Sequence, residues 1–401
     1  MSTPPTQLAD PTIGPAKRRV PALGSLQGYI GLALVILAGI ITKGGDFANT
    51  TNITNAIGYF APRGILAVGM TLVIIAAGID LSVGSLMAIG GTAAAWLLTT
   101  ANWPTIAIVP ATMLICAVFG FINGAGTALL KIQSFVMTLA MMTIARGIVR
   151  EFSDNRSIST QVYGPNGMAP GSVQFSKLGT PGTQLFDVPI IGYFPVLALL
   201  VVVIVFQLIL SKTKFGRHIY AVGGNPTAAR LSGVNVTGVT IAVFTLSGML
   251  AGLAGPINAA YNASAFPEAG ISYELDAIAA VVIGGASLAG GRGNVIGTFI
   301  GALILTLLDN VLGLNNFSAN WQLIIKGVIV VVAVVIQRPE LFSDLAARLR
   351  GSRGSQAAPP AAPPASPGTH SSPPQSSTTQ PSTPQSSPTQ SSPTQPSTTK
   401  E

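Results

Sequence analysis

The chain has 401 residues, 49% of them hydrophobic and only 8% charged, with a formal net charge of +8. A soluble domain carries about 25% charged residues, so this composition excludes an ordinary water-facing surface. The cations stand singly beside apolar runs, not on one basic helix face, which argues against nucleic acid as a partner.

In chain order, residues 1–22 are polar and rich in Pro and Thr at their start, and predict a disordered cytoplasmic N-terminus. Lys17, Arg18 and Arg19 then precede an apolar run, as in a secretory signal. No small-residue cleavage site follows before Lys43, so the first helix is expected to stay in the protein. A helix needs about 20 mostly apolar residues to cross a bilayer. Ten segments approach that pattern, at about 26–41, 59–77, 85–100, 104–123, 134–149, 192–210, 238–260, 275–288, 295–312 and 321–336. The third and eighth are short and Gly-rich, and read as half-helices or re-entrant segments. The 45 glycines suit such a body, because small residues let membrane helices approach closely.

The expected fold is therefore all-α, a polytopic membrane bundle of about ten helices over 23–340. A short cytoplasmic segment (341–350) and a disordered Pro/Ser/Thr/Gln-rich tail (351–401) follow. Cation placement supports the count, since Lys and Arg gather on cytoplasmic loops. Alternation from an inside N-terminus puts Lys131, then Lys212, Lys214, Arg217 and Arg230, then Arg292, and last Arg338, Arg348, Arg350 and Arg353 on that same side. The long outer stretch 150–191, with Arg156 and Lys177, is an exception of the kind long loops make.

Chemistry is scarce along this chain. The single cysteine, Cys116, lies in an apolar run and forms neither an internal disulfide nor a thiolate metal site. The two histidines, His218 and His370, stand far apart and form no base–nucleophile set. No Gly-Lys-Ser or Gly-Lys-Thr phosphate loop occurs. Neither catalysis nor a bound cofactor is expected.

Three stretches are distinctive. Gly78-Ile79-Asp80-Leu81-Ser82-Val83-Gly84-Ser85 places a carboxylate between two apolar segments. Asp80 or Ser82 there either caps the helix starting near Val83 or faces a permeation pathway. Between the sixth and seventh segments runs Phe215-Gly216-Arg217 through Gly223-Gly224-Asn225-Pro226-Thr227-Ala228-Ala229-Arg230-Leu231-Ser232-Gly233. Asn225 as N-cap, Pro226 at the first helical position and Gly233 as stop predict a short helix over 227–231 in a cytoplasmic docking loop. The third stretch is Tyr273-Glu274-Leu275-Asp276-Ala277-Ile278 followed by the Gly-rich run 284–293, read as tight helix packing with a cytoplasmic turn at Arg292.

Together these three stretches, in this order, closely resemble the ribose-type permeases of bacterial ATP-binding-cassette importers. The likeness extends over about 52–335 and includes 68–73 and 297–304. The polar N-terminus and the tail lie outside it. The resemblance implies a subunit of the bacterial plasma (inner) membrane that pairs with a second permease as a homodimer. Cassette ATPases would lie on the cytoplasmic side and an extracytoplasmic sugar-binding protein on the other. It also implies that Gly216, Arg217, Gly223, Gly224, Asn225, Pro226, Ala229, Arg230 and Gly233 form the ATPase-coupling loop.

Polar groups within or beside the spans are expected to face the bundle interior. Asp80, Ser82, Asn123, Glu274, Asp276 and Asn310 are the pathway candidates. Asp309, Arg146 and Lys326 belong to the same set, the two cations pairing with carboxylates or reaching for the membrane surface. The rival reading is an ion-coupled secondary transporter, whose core would also hold carboxylates and Gly-broken helices.

Overall fold

The computed structural model describes residues 23–165, 167–179 and 193–336. The expected N-terminal segment (1–22) and the segments 341–350 and 351–401 lie outside the described residues. Each of the ten apolar segments falls on one helix: α1 (Leu23–Ala48), α2 (Thr50–Ile75), α3 (Val83–Thr99), α4 (Thr105–Ala128), α5 (Ser134–Phe152), α7 (Phe194–Lys212), α10 (Val236–Tyr261), α11 (Tyr273–Ile283), α12 (Val295–Leu314) and α13 (Ala319–Ile336). Three further helices, α6 (Pro170–Ser176), α8 (Lys214–Gly224) and α9 (Pro226–Leu231), belong to connections.

Six of the described helices, α1, α2, α4, α7, α10 and α12, are long and apolar enough to cross a membrane. The 11 residues of α11 reach only about 16 Å, half the thickness of the hydrocarbon core. The eighth segment is thus a half-helix, as its length and glycines predict. The third is short as well, with 17 residues in α3, and is not among those six.

The helices alternate between two ends. At one, here the loop end, the Gly291 N–H donates to the Ile75 carbonyl (2.9 Å) and joins the end of α2 to the α11–α12 connection. At the far end, Ile158–Ser159 pairs with Ser264–Ala265 as a two-residue antiparallel ladder, tying the α5–α7 connection to the α10–α11 connection.

In lipid, no hydrophobic force drives one apolar helix onto another, so close backbone fit must do it. The seam between α4 and α10 works this way. A Cβ on Gly120 or Gly124 would collide with the backbone of Phe244 or Ile241, and one on Gly248 or Gly252 with the carbonyls of Cys116 or Thr112. The Thr112 hydroxyl then donates to the Gly252 carbonyl (2.9 Å), a bond that only this spacing permits. α2 is buried almost without interruption from Phe60 to Ile75, while α4 turns Ile106, Leu114 and Val118 outward. An apolar surface of that kind is stable only in a bilayer.

Candidate functional site: a polar floor, a hinged loop and a cavity

Beyond Ile75 the chain turns back through Ala77, at φ 62°, into the 78–85 stretch. Asp80 is fully buried there. Its Oδ1 accepts from the Ser82 N–H (3.0 Å) and hydroxyl (2.6 Å), and its Oδ2 from the Ser247 hydroxyl on α10 (2.8 Å). Asn123 Nδ2 on α4 donates to the Ser82 hydroxyl oxygen (2.9 Å). A carboxylate that would be costly in a membrane is satisfied within a knot of α3, α4 and α10.

The capping expectation needs correction for one of its two residues. Asp80 does take a local backbone N–H, that of Ser82, but the Ser82 side chain bonds no helix N–H. Its hydroxyl is engaged by Asp80 and Asn123 instead. Asp80, Ser82 and Asn123 are thus brought together, enclosed in the protein core.

At the loop end, Thr213 caps α8 by accepting from the Gly216 N–H (3.0 Å), and Asn225 caps α9 by accepting from the Ala228 N–H (2.9 Å). Pro226 opens α9, and Gly233, at φ +82°, lies just beyond its end. The 227–231 helix predicted from cap, Pro and Gly is present one residue longer. The α8 helix was not predicted, because Gly216, Gly223 and Gly224 weaken the propensity of the stretch. Gly216, Gly223 and Ala229 are buried, whereas Arg217, Gly224, Asn225, Pro226, Arg230 and Gly233 face outward. Leu231 is 86% exposed, an apolar side chain with nothing covering it among the described residues.

One close approach mates this loop to the bundle. A Cβ on Gly223 would run into the Ile75 carbonyl and, at 2.8 Å, the Gly291 nitrogen. Beside it the Tyr220 hydroxyl donates to the Gly293 carbonyl (2.7 Å). Burial raises the Tyr220 pKa above the ordinary phenol value, which keeps this donor protonated. Gly290 and Gly291 take positive φ values of 84° and 72° to complete the turn, a conformation that disfavours any side chain. α8, the end of α2 and the α11–α12 connection therefore meet in a single joint.

Nearer mid-depth, charged groups from four helices converge. Arg63 on α2 pairs with Asp309 on α12 (2.7 Å) and lies 4.7 Å from the centre of the Tyr273 ring on α11. Lys326 on α13 pairs with Asp276 on α11 (3.1 Å) and with Asp309 (3.4 Å). These side chains are only 13–19% exposed. Two cations offset two anions, the arrangement that makes buried charge tolerable.

Toward the far end of this cluster lies a cavity of about 440 Å³ bordered by Tyr59, Arg63, Thr306, Asp309, Asn310 and Gln322. A void of about 10 Å³ toward the loop end shares Arg63 and Thr306 with it and adds Asp276, Ala280, Ala302 and Leu305. The ion pairs thus stand where the open space narrows.

Of the residues expected from sequence, the structure unites Asp276, Asp309, Asn310 and Lys326 in this region. Lys326 pairs with carboxylates as expected. Arg146 does not: its guanidinium donates to the carbonyls of Pro267 and Ala269, bracing the loop before α11. Glu274 lies on the other side of α11, where a Cβ on Gly84 would come within 2.7 Å of its Oε2. Asn310 exchanges amide hydrogen bonds with Asn52 (2.7 and 3.0 Å). Sequence reading missed Arg63, Tyr59 and Gln322. For Arg63 the signal was available, a lone cation inside the apolar run 61–75.

Comparison with known proteins matches the sequence of this body to a family. The profile described as branched-chain amino acid transport system / permease component covers residues 52–334. The ribose import permease of Haemophilus influenzae is 42% identical over 305 residues, covering 76% of this chain and 90% of that protein. That of Bacillus subtilis is 39% identical over 320 residues, covering 78% and 92%. The xylose transport system permease of Escherichia coli K12 is 35% identical over 374 residues, covering 79% and 95%. No solved structure matches. With the matched region spanning the helical body that holds the loop, the ion cluster and the cavity, the chain belongs to this family of multi-pass membrane permease components, which are transport subunits and not enzymes.

Proposed function

We propose that this protein is the permease subunit of an ATP-binding-cassette importer for a monosaccharide or similar polyol. The family profile is labelled for amino acids, but the relatives at 35–42% identity carry the names of pentose permeases. In this reading the loop end is cytoplasmic, as are both termini, and the far end meets an extracytoplasmic sugar-binding protein. Two copies form one pathway, and a separate cassette ATPase docks on the exposed face of α9.

The joint around Gly223 is the observation that carries the reading. A push on α8 and α9 passes without slack to α2 and to the α11–α12 connection, since backbone touches backbone there. Arg63 lies 12 residues up α2 from Ile75, or about 18 Å along the axis. Asp276 and Asp309 ride on the two helices of the same joint. Displacing the loop would shift three of the four charged partners relative to Lys326 and so alter access past the ion pairs. Asp276 and Asn310 are assigned to the pathway beside the cavity, and Glu274 to the packing of α11 against Gly84 on α3. Asp80, Ser82 and Asn123 are assigned to the knot that makes α3, α4 and α10 move as a body.

The test is reconstitution with the cognate ATPase and binding protein in proteoliposomes. ATP-driven pentose uptake is expected, and replacing residues 225–230 should abolish it while the permease stays in the membrane. Uptake that a proton uncoupler stops with ATP still present would favour the ion-coupled alternative instead.

A further inference from the structure

The cavity at the far side of the ion cluster has a chemistry of its own. Its 440 Å³ lies within the range of about 300–1,000 Å³ usual for small-molecule sites. Arg63 and Asp309 pair at 2.7 Å through Nη1 and Oδ2, their Nε and Oδ1 atoms, unpartnered among the described residues, are buried, and Lys326 completes a set of two cations and two anions, so the wall offers no net charge to a solute. What remains available is neutral. The Gln322 amide donates to the Phe317 carbonyl, leaving its oxygen as an acceptor. Asn310 engages Asn52 with one donor and one acceptor, leaving a further N–H and lone pairs. Thr306 adds a hydroxyl and Tyr59 an aromatic face, 45% exposed.

We propose that this cavity, between α2, α12 and α13, is a resting site for one uncharged polyhydroxylated solute held by Tyr59, Asn310 and Gln322, with the Arg63–Asp309 pair as its floor. This rests on the importer reading and adds a station within the permease itself. Hydroxyls that both donate and accept match amides and hydroxyls, while the C–H face of a sugar ring suits the Tyr59 ring. Because the amides are already partly engaged within the protein, the hold is weak, as a site that must release its cargo requires. A free amino acid is disfavoured because the cations and carboxylates that would pair with its two charged ends are already paired with one another.

A single reporter cysteine tests the site, because the only native cysteine, Cys116, is buried. Gln322→Cys in the full chain, in proteoliposomes, is labelled with a small membrane-impermeant thiol reagent in the presence of D-ribose, D-xylose or L-leucine. By mass action, a pentose at four times its dissociation constant should slow labelling about fivefold, and L-leucine should not. The double variant Gln322→Cys/Asn310→Ala, at an unchanged melting temperature, should bind roughly fivefold more weakly for want of a hydrogen-bonding partner, so that the same pentose concentration slows labelling only about twofold. Leu323→Cys, 53% exposed beside it in the native chain, should react at the same rate with or without sugar. No labelling, no protection by either pentose, or equal protection by L-leucine overturns the proposal. ATP-driven uptake by the unsubstituted chain in parallel vesicles, with partners added, separates the two ideas. Uptake without protection removes only the resting site, whereas protection without ATP-driven uptake leaves the site standing and removes the importer reading.

Discussion

At Lys326 one cation serves two carboxylates, Asp276 at 3.1 Å and Asp309 at 3.4 Å, while Asp309 also holds Arg63. Deleting it therefore strands Asp276 more than Asp309. Lys326→Met should destabilise the protein by about 3 kcal/mol, the cost of leaving a largely buried charge unpaired. Adding Asp276→Asn should recover most of that loss, because Arg63 and Asp309 remain paired and the charge balance returns. Thermal unfolding in nanodiscs decides the matter: a single variant as stable as wild type, or a double variant less stable than the single, contradicts the pairing. The knot at Asp80 shows the same economy by other means. Three hydrogen bonds accepted from Ser82 and Ser247 hold a carboxylate that has no ion-pair partner among the described residues.

Among the elements, α8 is the one whose placement leaves no room for change. Gly223→Val must push α8 off the Ile75 carbonyl, and the reconstituted complex should then hydrolyse ATP with uptake reduced at least about tenfold. Tyr220→Phe removes one hydrogen bond to the Gly293 carbonyl, about 1 kcal/mol, and should reduce coupling by only severalfold. The ratio of solute transported to ATP hydrolysed is the measurement, and an unchanged ratio in Gly223→Val would mean that the joint transmits nothing. At 11 residues, α11 is too short to cross alone. It places Asp276 and Tyr273 in its first turn beside the Arg63–Asp309 pair, so a half-helix brings charged chemistry to mid-depth where a full helix would pass through.

For the whole molecule, the exposed apolar residue of α9 speaks to assembly. Leu231 is 86% exposed at a loop rim that also carries Arg217 and Arg230. Leu231→Asp should leave the unfolding temperature of the isolated permease unchanged, since no packing in the chain is lost. Binding of the ATPase should weaken roughly tenfold or more, as for an anchor residue at an interface. Titration of the ATPase onto nanodisc-held permease measures it; equal affinity would place the docking surface elsewhere.

Composition and span length fixed the membrane character and the ten helical segments, because a bilayer penalises any backbone that is not internally bonded. Asn225, Pro226 and Gly233 disclosed α9, because caps and stops are local chemistry. Tertiary structure alone brought together Arg63, Asp276, Asp309 and Lys326, which are separated by up to 263 positions in the chain and carry no local pattern. It alone assigned Asp80 to an enclosed knot and Arg146 to carbonyls rather than carboxylates, since a polar residue in an apolar run reveals that a partner is needed but not which one. The value of Gly223 likewise emerges only when Ile75 and Gly291 arrive beside it: the sequence records a missing side chain, and only the fold supplies the backbone that fills its place.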